Sequence, residues 1–470
     1  MTYKRNVRFY LTLWFVKCLT FFMRLIGRQA TCTPGIVALK LCPDFMGRIE
    51  KPKLVVAVTG TNGKTTVCNM IDDILEDNGY HITNNRYGSN IDAGVVSALI
   101  SGSNLRGRAK NEIAILEVDE RSALKIYPYL KPDYIVCTNL FRDSLRRNAH
   151  TEVMSYIINR DMPPEATLIL NGDDLIASGL GSDTNKKVYF GIHRLDTDST
   201  EFGSSIRDII NCPRCDTRLV YDYIRYNHIG RAHCPRCGFR SPDCEYFVTD
   251  IDRAANTVTV AQYGREYTYP MVNDNIVNIY NMTAAIALLS EIGLTPEQLH
   301  ASLGHIKPVK SRYNAETYLG KTLITQLAKG QNPIACSRGF QYVGQAAGQK
   351  ALILTLDDKY DAAHSSENPA WLFETDYSPL TSDSITQIIV GGKRRYDQYL
   401  RLLMAGVPAD RIYLTEHETD TYQLVDFTRC DTVYILHDIF ILDIAQKIKA
   451  SLKERLDREI SESGNQKEGA

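Results

Sequence analysis

Four things are scarce or missing in this sequence. There is no excess of charge: 54 Lys and Arg stand against 55 Asp and Glu, a formal net charge of -1. No global basic field therefore draws nucleic acid to it. There is no apolar run long enough to span a bilayer, which takes ~20 residues; even the aromatic-rich stretch from Arg5 to Arg28 is broken by Lys17 and Arg24. There is no disulfide framework. Twelve cysteines are spread over 470 residues and four of them form two CxxC pairs, a pattern typical of metal binding in a reducing compartment. No cysteine sits in a G-x-C-x-G elbow, Cys336 in IACSRGF and Cys430 in TRCDT being the nearest misses, so the chain lacks the nucleophile of a thioester-type glutaminase.

What is present is an α/β pattern with a core of ordinary size, 44% of residues being apolar. LVVAVTG, IAILEVD, YIVCTNL, TLILNGD and KVYFGI read as strands of a parallel sheet covered on both faces. Val67, Met70, Ile71, Ile74 and Leu75 predict an amphipathic helix that Asn78-Gly79 ends. A second α/β pattern follows residue 306, with strands in KALILTLDD, ITQIIVGG and DTVYILHD and helices over Tyr396–Met404 and Phe440–Leu456. The expected parts are an N-terminal helical segment over 1–50, a nucleotide-binding domain over 51–305 with a cysteine-bearing insertion at about 205–246, a Rossmann-like domain over 306–457, and a disordered polar tail over 458–470. In the N-terminal segment Leu11, Trp14, Phe15, Cys18, Phe22, Leu25 and Ile26 recur at helical spacing. Such a helix packs on the body of the protein or lies on the inner membrane surface, and the two readings are compatible. The location is cytosolic, with peripheral membrane contact open.

The sharpest motif is VVAVTGTNGKTTV, residues 55–67. A strand, a glycine turn and a helix opening on Gly63-Lys64-Thr65 make a phosphate cradle, in which backbone N–H groups point at the anion. Gly60, Thr61, Asn62, Gly63 and Thr66 complete it. Lys64 is placed to reach the β- and γ-phosphates and Thr65 to hold Mg²⁺. The usual spacing would put a glycine at Val58. Glu117, at the end of the IAILE strand, is suited to a second Mg²⁺ contact.

Cys212-Pro-Arg-Cys215 and Cys234-Pro-Arg-Cys237 are separated by eighteen residues, a zinc-ribbon spacing. Four thiolates close the coordination sphere, so the predicted Zn²⁺ is structural. It would tie down an insertion with little core of its own, supplying on the order of 10 kcal/mol of folding energy. Cys244 lies outside the pattern.

TGTNGKTT resembles the ATP loop of the Mur ligase superfamily, which makes amide bonds on peptidoglycan precursors. NNRYGSNI (84–91), LEVDE (116–120), TNLFRDSL (138–145), LILNGDD (168–174) and NIYNMTAA (278–285) match family segments in order. With the four-cysteine insertion, RLIGR…PGIVALKLCPD and YDQYLRLLMAGVPADRI, nearly the whole chain is similar to the MurT family, the ligase subunits of glutamine-hydrolysing lipid II isoglutaminyl synthases. The resemblance implies that residues 1–50 lie on the substrate side, that ATP activates the α-carboxyl of D-isoglutamate in lipid II as an acyl phosphate, and that ammonia displaces phosphate. It implies Asn278 and Asn281 near the adenine. It also implies a GatD-type glutaminase partner in a heterodimer, bound to the C-terminal domain, whose triad takes an Asp from this family. Here the matching position falls near Asn368, beside Glu367, in a stretch of altered spacing; either residue would orient a histidine. Ser144 stands where many Mur ligases carry His, and LAKGQNP, with Lys329 and Asn332, is longer than the family's LAKNP. The alternatives are a stand-alone amino-acid ligase of the same superfamily and a nucleotide-binding homologue without turnover.

Overall fold

The computed structural model describes residues 3–27, 30–142, 150–203, 206–306, 313–328, 332–356, 369–438 and 441–468. Their contacts form two compact units, one made of most residues up to 308, the other of most residues from 309 onward.

The first unit opens with α1 (Val7–Leu25), α2 (Thr33–Leu41) and α3 (Phe45–Arg48). There follow β1 (Leu54–Thr59), α4 (Lys64–Asp77), β2 (Ile82–Asn84), α5 (Asp92–Ser101), β3 (Ile113–Glu117), α6 (Ala123–Leu130), β4 (Tyr134–Cys137), α7 (Thr151–Arg160), β5 (Thr167–Asn171) and β6 (Lys187–Ile192). A separate antiparallel hairpin, β7 (Val220–Tyr226) and β8 (Ile229–His233), carries the cysteine insertion. The unit closes with β9 (Tyr246–Asp252), β10 (Thr257–Gln262), β11 (Arg265–Pro270), α8 (Ile276–Glu291) and α9 (Pro296–His305). Nine strands form one sheet in the order β11-β10-β9-β6-β5-β4-β1-β3-β2. From β2 to β6 the pairings are parallel. All five strands expected for this unit are present. β1 lies between β3 and β4, so successive connections leave from opposite sides of it and open a crevice at its carboxyl end. Val67, Met70, Ile71, Ile74 and Leu75 are the buried stripe of α4, and Gly79, at φ +81°, follows its end.

The N-terminal segment shares the first unit's core: Phe9, Leu13, Val16 and Ala38 pack in one cluster with residues of β1, β3, β4 and β5. Its helix is there and packs on the body of the protein, but not through the face that the spacing picked out. Leu11, Trp14, Phe15, Cys18, Phe22, Leu25 and Ile26 are exposed, and the narrower stripe of Phe9, Leu13 and Val16 faces inward. The helix is apolar nearly all round, so periodicity alone leaves the buried side undecided.

The second unit contains β12 (Tyr313–Tyr318), β13 (Lys321–Leu327), α10 (Pro333–Gln345), β14 (Lys350–Thr355), α11 (Ala370–Glu374), β15 (Ile385–Gly391), α12 (Arg395–Ala405), β16 (Ile412–Thr415), β17 (Thr432–His437) and α13 (Leu442–Glu468). Its sheet runs β12-β13-β17-β14-β15-β16, parallel except for the β12 edge. One face packs on Phe340, Leu372 and Leu402, the other on Ala445, Ile448 and Leu452. The tail expected to be irregular from 458 is helical as far as Glu468. Charged, straight-chain residues are good helix formers when an anchored helix precedes them, and Arg455 pairs with Glu459 at i,i+4.

Candidate active site

At the carboxyl end of β1 the chain turns at Gly60, φ +124°, and again at Gly63, φ +91°. Both conformations favour glycine. A Cβ at Gly63 would lie 2.2 Å from Asn281 Oδ1, and one at Gly60 would lie 2.2 Å from Thr138 Oγ1. The loop is thus pressed between α8 and the segment after β4. That segment grips it: Thr61 N–H donates to Asn139 O at 2.8 Å, Asn62 N–H to Asn139 Oδ1 at 3.0 Å, and Thr138 Oγ1 to Asn62 O at 2.6 Å. Val58 is the reason the common glycine spacing fails. It is a fully buried strand residue paired with Glu117, so the sheet runs one step further before the turn. Past Gly63, α4 begins at Lys64 with no acidic residue in its first turn, leaving its first N–H groups for an anion.

The side chains on this frame converge. Thr65 Oγ1 donates to Glu117 Oε2 at 2.8 Å, and Asn90 Nδ2 donates to Glu117 Oε1 at 3.0 Å. Asn85 fixes the Glu117 backbone from both sides, accepting from its N–H at 2.8 Å and donating to its carbonyl at 2.9 Å. Two hard oxygen donors so held suit Mg²⁺. Lys64 Nζ donates to Gly60 O and pairs with Glu120 Oε1 at 3.2 Å. Burial opposes the charge on Lys64, yet Glu120, Asp119 and Glu117 together hold its pKa above the ordinary lysine value. Burial raises that of Glu120 against the pull of Lys64. Glu120 belongs to the LEVDE stretch and was not expected from sequence; it becomes legible only when α4 and the end of β3 are brought together. Asn281 is buried against the loop at Gly63, and Asn278, half-buried, precedes it on α8.

The cysteine insertion closes on itself. The Sγ atoms of Cys212, Cys215, Cys234 and Cys237 all lie within 4.8 Å of one another, with Cys212–Cys237 and Cys215–Cys234 at 3.5 Å. Each pair is followed by a left-handed residue, Asp216 at φ +59° and Gly238 at φ +72°. Each turn is closed by a backbone bond, Cys212 N–H to Thr217 O at 2.8 Å and Cys234 N–H to Phe239 O at 2.6 Å. Two matched knuckles aimed at one point fit a tetrahedral zinc ion. The local apolar core is small, Leu219, Tyr221, Ile224 and Ala232 with the two buried cysteines and Leu175. Cys244 is not among the four.

The hairpin is tied to the sheet by buried ion pairs that the sequence did not disclose. Arg225 pairs with Asp198 at 2.8 Å and Asp173 at 3.5 Å, and Asp173 Oδ2 also accepts from Tyr280 Oη of α8 at 2.6 Å. His228 lies 3.2 Å from Asp174 and 3.6 Å from Asp208. Desolvation lowers its pKa, but the two carboxylates outweigh it and raise the imidazole to about 9. Asp174 in turn accepts from Leu140 N–H at 2.7 Å, on the segment that grips the phosphate loop.

In the second unit Asn332 caps α10, accepting from Ala335 N–H at 2.9 Å. Glu367, Asn368, Lys329 and Ser144 lie outside the described residues. Cys336 and Cys430 are both buried and burial raises both thiols, which suits neither to nucleophilic work.

Two family profiles match: "Mur ligase middle domain" over residues 58–210 and "MurT ligase C-terminal" over residues 329–439. The chain is similar to the lipid II isoglutaminyl synthase (glutamine-hydrolyzing) subunit MurT of Staphylococcus aureus (strain COL), 30% identical over 407 residues, covering 86% of this chain and 90% of that one. It is 27% identical over 420 residues to the subunit of the same name from Streptococcus pneumoniae (strain ATCC BAA-255 / R6), covering 88% and 91%. Among solved structures it resembles a pseudomurein peptide ligase type C from Methanothermus fervidus, with TM-score 0.64 and 20% identity, covering 86% of this chain and 80% of that one. MurF from Acinetobacter baumannii superposes with TM-score 0.58 at 16% identity, covering 89% and 80%. These two likenesses establish the fold.

Proposed function

This chain belongs to the MurT family of Mur ligases, and we propose that it is the ATP-dependent ligase subunit of a glutamine-hydrolysing lipid II isoglutaminyl synthase. The observation that carries this reading is the Thr65–Glu117 pair set beside Lys64 at a glycine turn, in a chain alike over nine-tenths of a relative bearing that name.

The carboxylate attacked is the α-carboxyl of D-isoglutamate in the stem peptide. Its oxygen attacks the γ-phosphorus of ATP, the bond to the β-phosphate oxygen breaks, and ADP leaves. Ammonia then adds to the acyl phosphate, loses a proton, and expels phosphate, giving D-isoglutamine. Gly60 to Thr66 cradle the phosphates with backbone N–H groups. Lys64, kept cationic by its carboxylate neighbours, follows the γ-phosphoryl group as it moves. Thr65 and Glu117 hold Mg²⁺, which when bound neutralises charge on the phosphates. Asn278 and Asn281 stand on the nucleoside side of the loop. No protein nucleophile is required.

Nitrogen comes from a second chain, a glutaminase of GatD type. The buried, thiol-form Cys336 and Cys430 support that division of labour. Glu367 or Asn368 completes the partner's triad by orienting its histidine. The four cysteines hold a structural Zn²⁺.

The test is co-purification of the full chain with a candidate glutaminase, followed by mass spectrometry of lipid II incubated with ATP, Mg²⁺ and glutamine. Amidated lipid II with ADP release is expected; neither product forming would sink the proposal. Glu367→Ala or Asn368→Ala is expected to lower glutamine-driven amidation while added ammonia still supports it. Equal loss with both nitrogen sources would remove those residues from the triad.

A further inference from the structure

The first 43 residues contain seven lysines and arginines and no acidic residue before Asp44, in a chain whose overall charge is -1. Within them α1 has two apolar sides. One, through Phe9, Leu13 and Val16, is buried in the first unit's core. The other is bare. At 3.6 residues per turn, Val7, Leu11, Trp14, Phe15, Phe22 and Leu25 fall on the half of the helix directly opposite. Phe22, Leu25 and Ile26 are 62, 66 and 69% exposed.

The patch continues beyond the helix. Trp14 Nε1 donates to Leu105 O at 2.9 Å, and Leu105 is itself exposed. Arg8 Nε donates to Leu41 O at 2.5 Å, and Ile36 and Leu41 on α2 are exposed as well. Lys4 just before α1, Arg24 on α1 and Lys40 on α2 are exposed too. Single exposed apolar residues are ordinary; a contiguous patch of large ones marks an interaction surface. A basic surround with aromatic and aliphatic residues in its middle matches the headgroup and upper acyl layers of an anionic membrane. Among the described residues no helix is long and apolar enough to cross a membrane, so α1 lies on the surface.

A second feature gives the direction. A cavity of about 440 Å³ opens at the carboxyl end of α1, lined by Arg24, Gly27, Thr31, Tyr87 and Asn85 among others. Asn85 is the residue that clamps the Glu117 backbone. One wall of the cavity is thus bonded to the backbone of Glu117, while Arg24 at its mouth belongs to α1.

We propose that α1 seats this protein on an anionic bilayer through its Leu11–Ile26 face, presenting the Arg24 cavity to a membrane-anchored substrate. The seating stands on the geometry of α1 alone; the use of the cavity rests on the function proposed above. A lipid-linked precursor cannot leave the bilayer without exposing its hydrocarbon tail to water, so the enzyme must reach it there. The cavity then takes the polar head of that precursor, with Arg24 beside its phosphates.

The test is flotation of the full chain, alone and with its glutaminase, with vesicles of phosphatidylglycerol and phosphatidylethanolamine, and in parallel with pure phosphatidylcholine. No nucleotide or precursor is present, so a failure of the ligase reading leaves this measurement untouched. The chain is expected to float with the anionic vesicles, and less as salt is raised. Phe15→Ser/Phe22→Ser/Leu25→Ser should cut partitioning about tenfold or more while the melting temperature holds, since these side chains touch solvent. Arg24→Gln/Lys40→Gln should weaken the preference for anionic over neutral vesicles. Failure of the parent chain to float, or flotation of the triple variant like the parent, would overturn the proposal. So would a dimer in vesicle-free sedimentation that the triple variant splits, which would assign the face to a second copy.

Discussion

Thr65 Oγ1 donates to Glu117 Oε2 across 2.8 Å, joining the first turn of α4 to the end of β3. The hydroxyl and the carboxylate meet because β1 and β3 are adjacent and in register, Val58 opposite Glu117. Removing either oxygen donor leaves the fold's sheet pairing untouched. Glu117→Ala is therefore expected to lower ADP release by about 10²-fold or more and to raise the Mg²⁺ concentration needed for half-maximal rate, while Thr65→Val does the same to a smaller degree. A magnesium titration of ADP release checks both. An unchanged magnesium requirement in Glu117→Ala would take that residue out of the metal site.

Lys64 and Glu120 form a buried pair with side-chain exposures of 12% and 3%. Lys64→Ala is expected to abolish ATP turnover, and it also strands a carboxylate. An uncompensated buried charge costs about 3–5 kcal/mol, reduced here as far as Glu120 takes up a proton, which its raised pKa favours. Lys64→Ala/Glu120→Gln is accordingly expected to regain stability without regaining turnover. Denaturant unfolding beside ADP release separates the two effects; recovery of turnover in the double variant would show that Lys64 serves only to neutralise Glu120.

Gly63 is constrained twice, by φ +91° and by the 2.2 Å approach of Asn281 Oδ1 to where a Cβ would be. Gly63→Ala is expected to cost about 1–3 kcal/mol and to weaken nucleotide binding more than Gly79→Ala. Gly79 shares a positive φ but has open space around it. Adding Asn281→Ala should return part of the stability lost at Gly63, because one of the two constraints is then gone. Thermal unfolding of these three variants beside Asn281→Ala alone measures this; no recovery would place the whole cost on the backbone.

Removing metal should reach the phosphate loop. The four-thiol cluster holds a hairpin with a small core, and that hairpin is bonded through His228 to Asp174, which holds Leu140 beside Thr61's partner Phe141. One zinc per chain is expected. Cys215→Ser or strong chelation should release it, lower the melting temperature and raise the KM for ATP. Zinc analysis alongside kinetics checks the chain of contacts: loss of zinc with an unchanged ATP KM would break it at Asp174.

Much of this was readable in advance. Strands β1, β3, β4, β5 and β6 announce themselves as continuous apolar runs because both faces of a parallel sheet are buried. Lys64, Thr65 and the CxxC pairs are local motifs whose spacing encodes their geometry. Glu120, Asn85, Asn139 and the Asp173–Arg225–Tyr280 group were not legible. Each acts through a partner 30 or more residues away, and one chain without relatives carries no signal for such pairings. Which side of α1 packs on the protein was not legible for another reason: with apolar residues on nearly every side, its periodicity is too weak to name the buried half.

His228 supplies a pH dependence whose sign can be worked out. Its folded-state pKa is raised to about 9 from the model-peptide value of 6.5, burial working against the charge and Asp174 and Asp208 for it. A group whose pKa is raised on folding stabilises the fold fully below its unfolded pKa, and that contribution fades as pH climbs through the folded value. The window here runs from 6.5 up to about 9. The full contribution is on the order of 3 kcal/mol, at about 1.4 kcal/mol per pKa unit. With zinc saturating, denaturant stability should therefore decline across that window. His228→Asn should flatten the decline while lowering stability at pH 6.5, because Asp174 and Asp208 are then left in the interior without their cation. Stability of the parent that is level from pH 6.5 to 9, or a slope that survives in His228→Asn, would show that the imidazole between those carboxylates is neutral throughout.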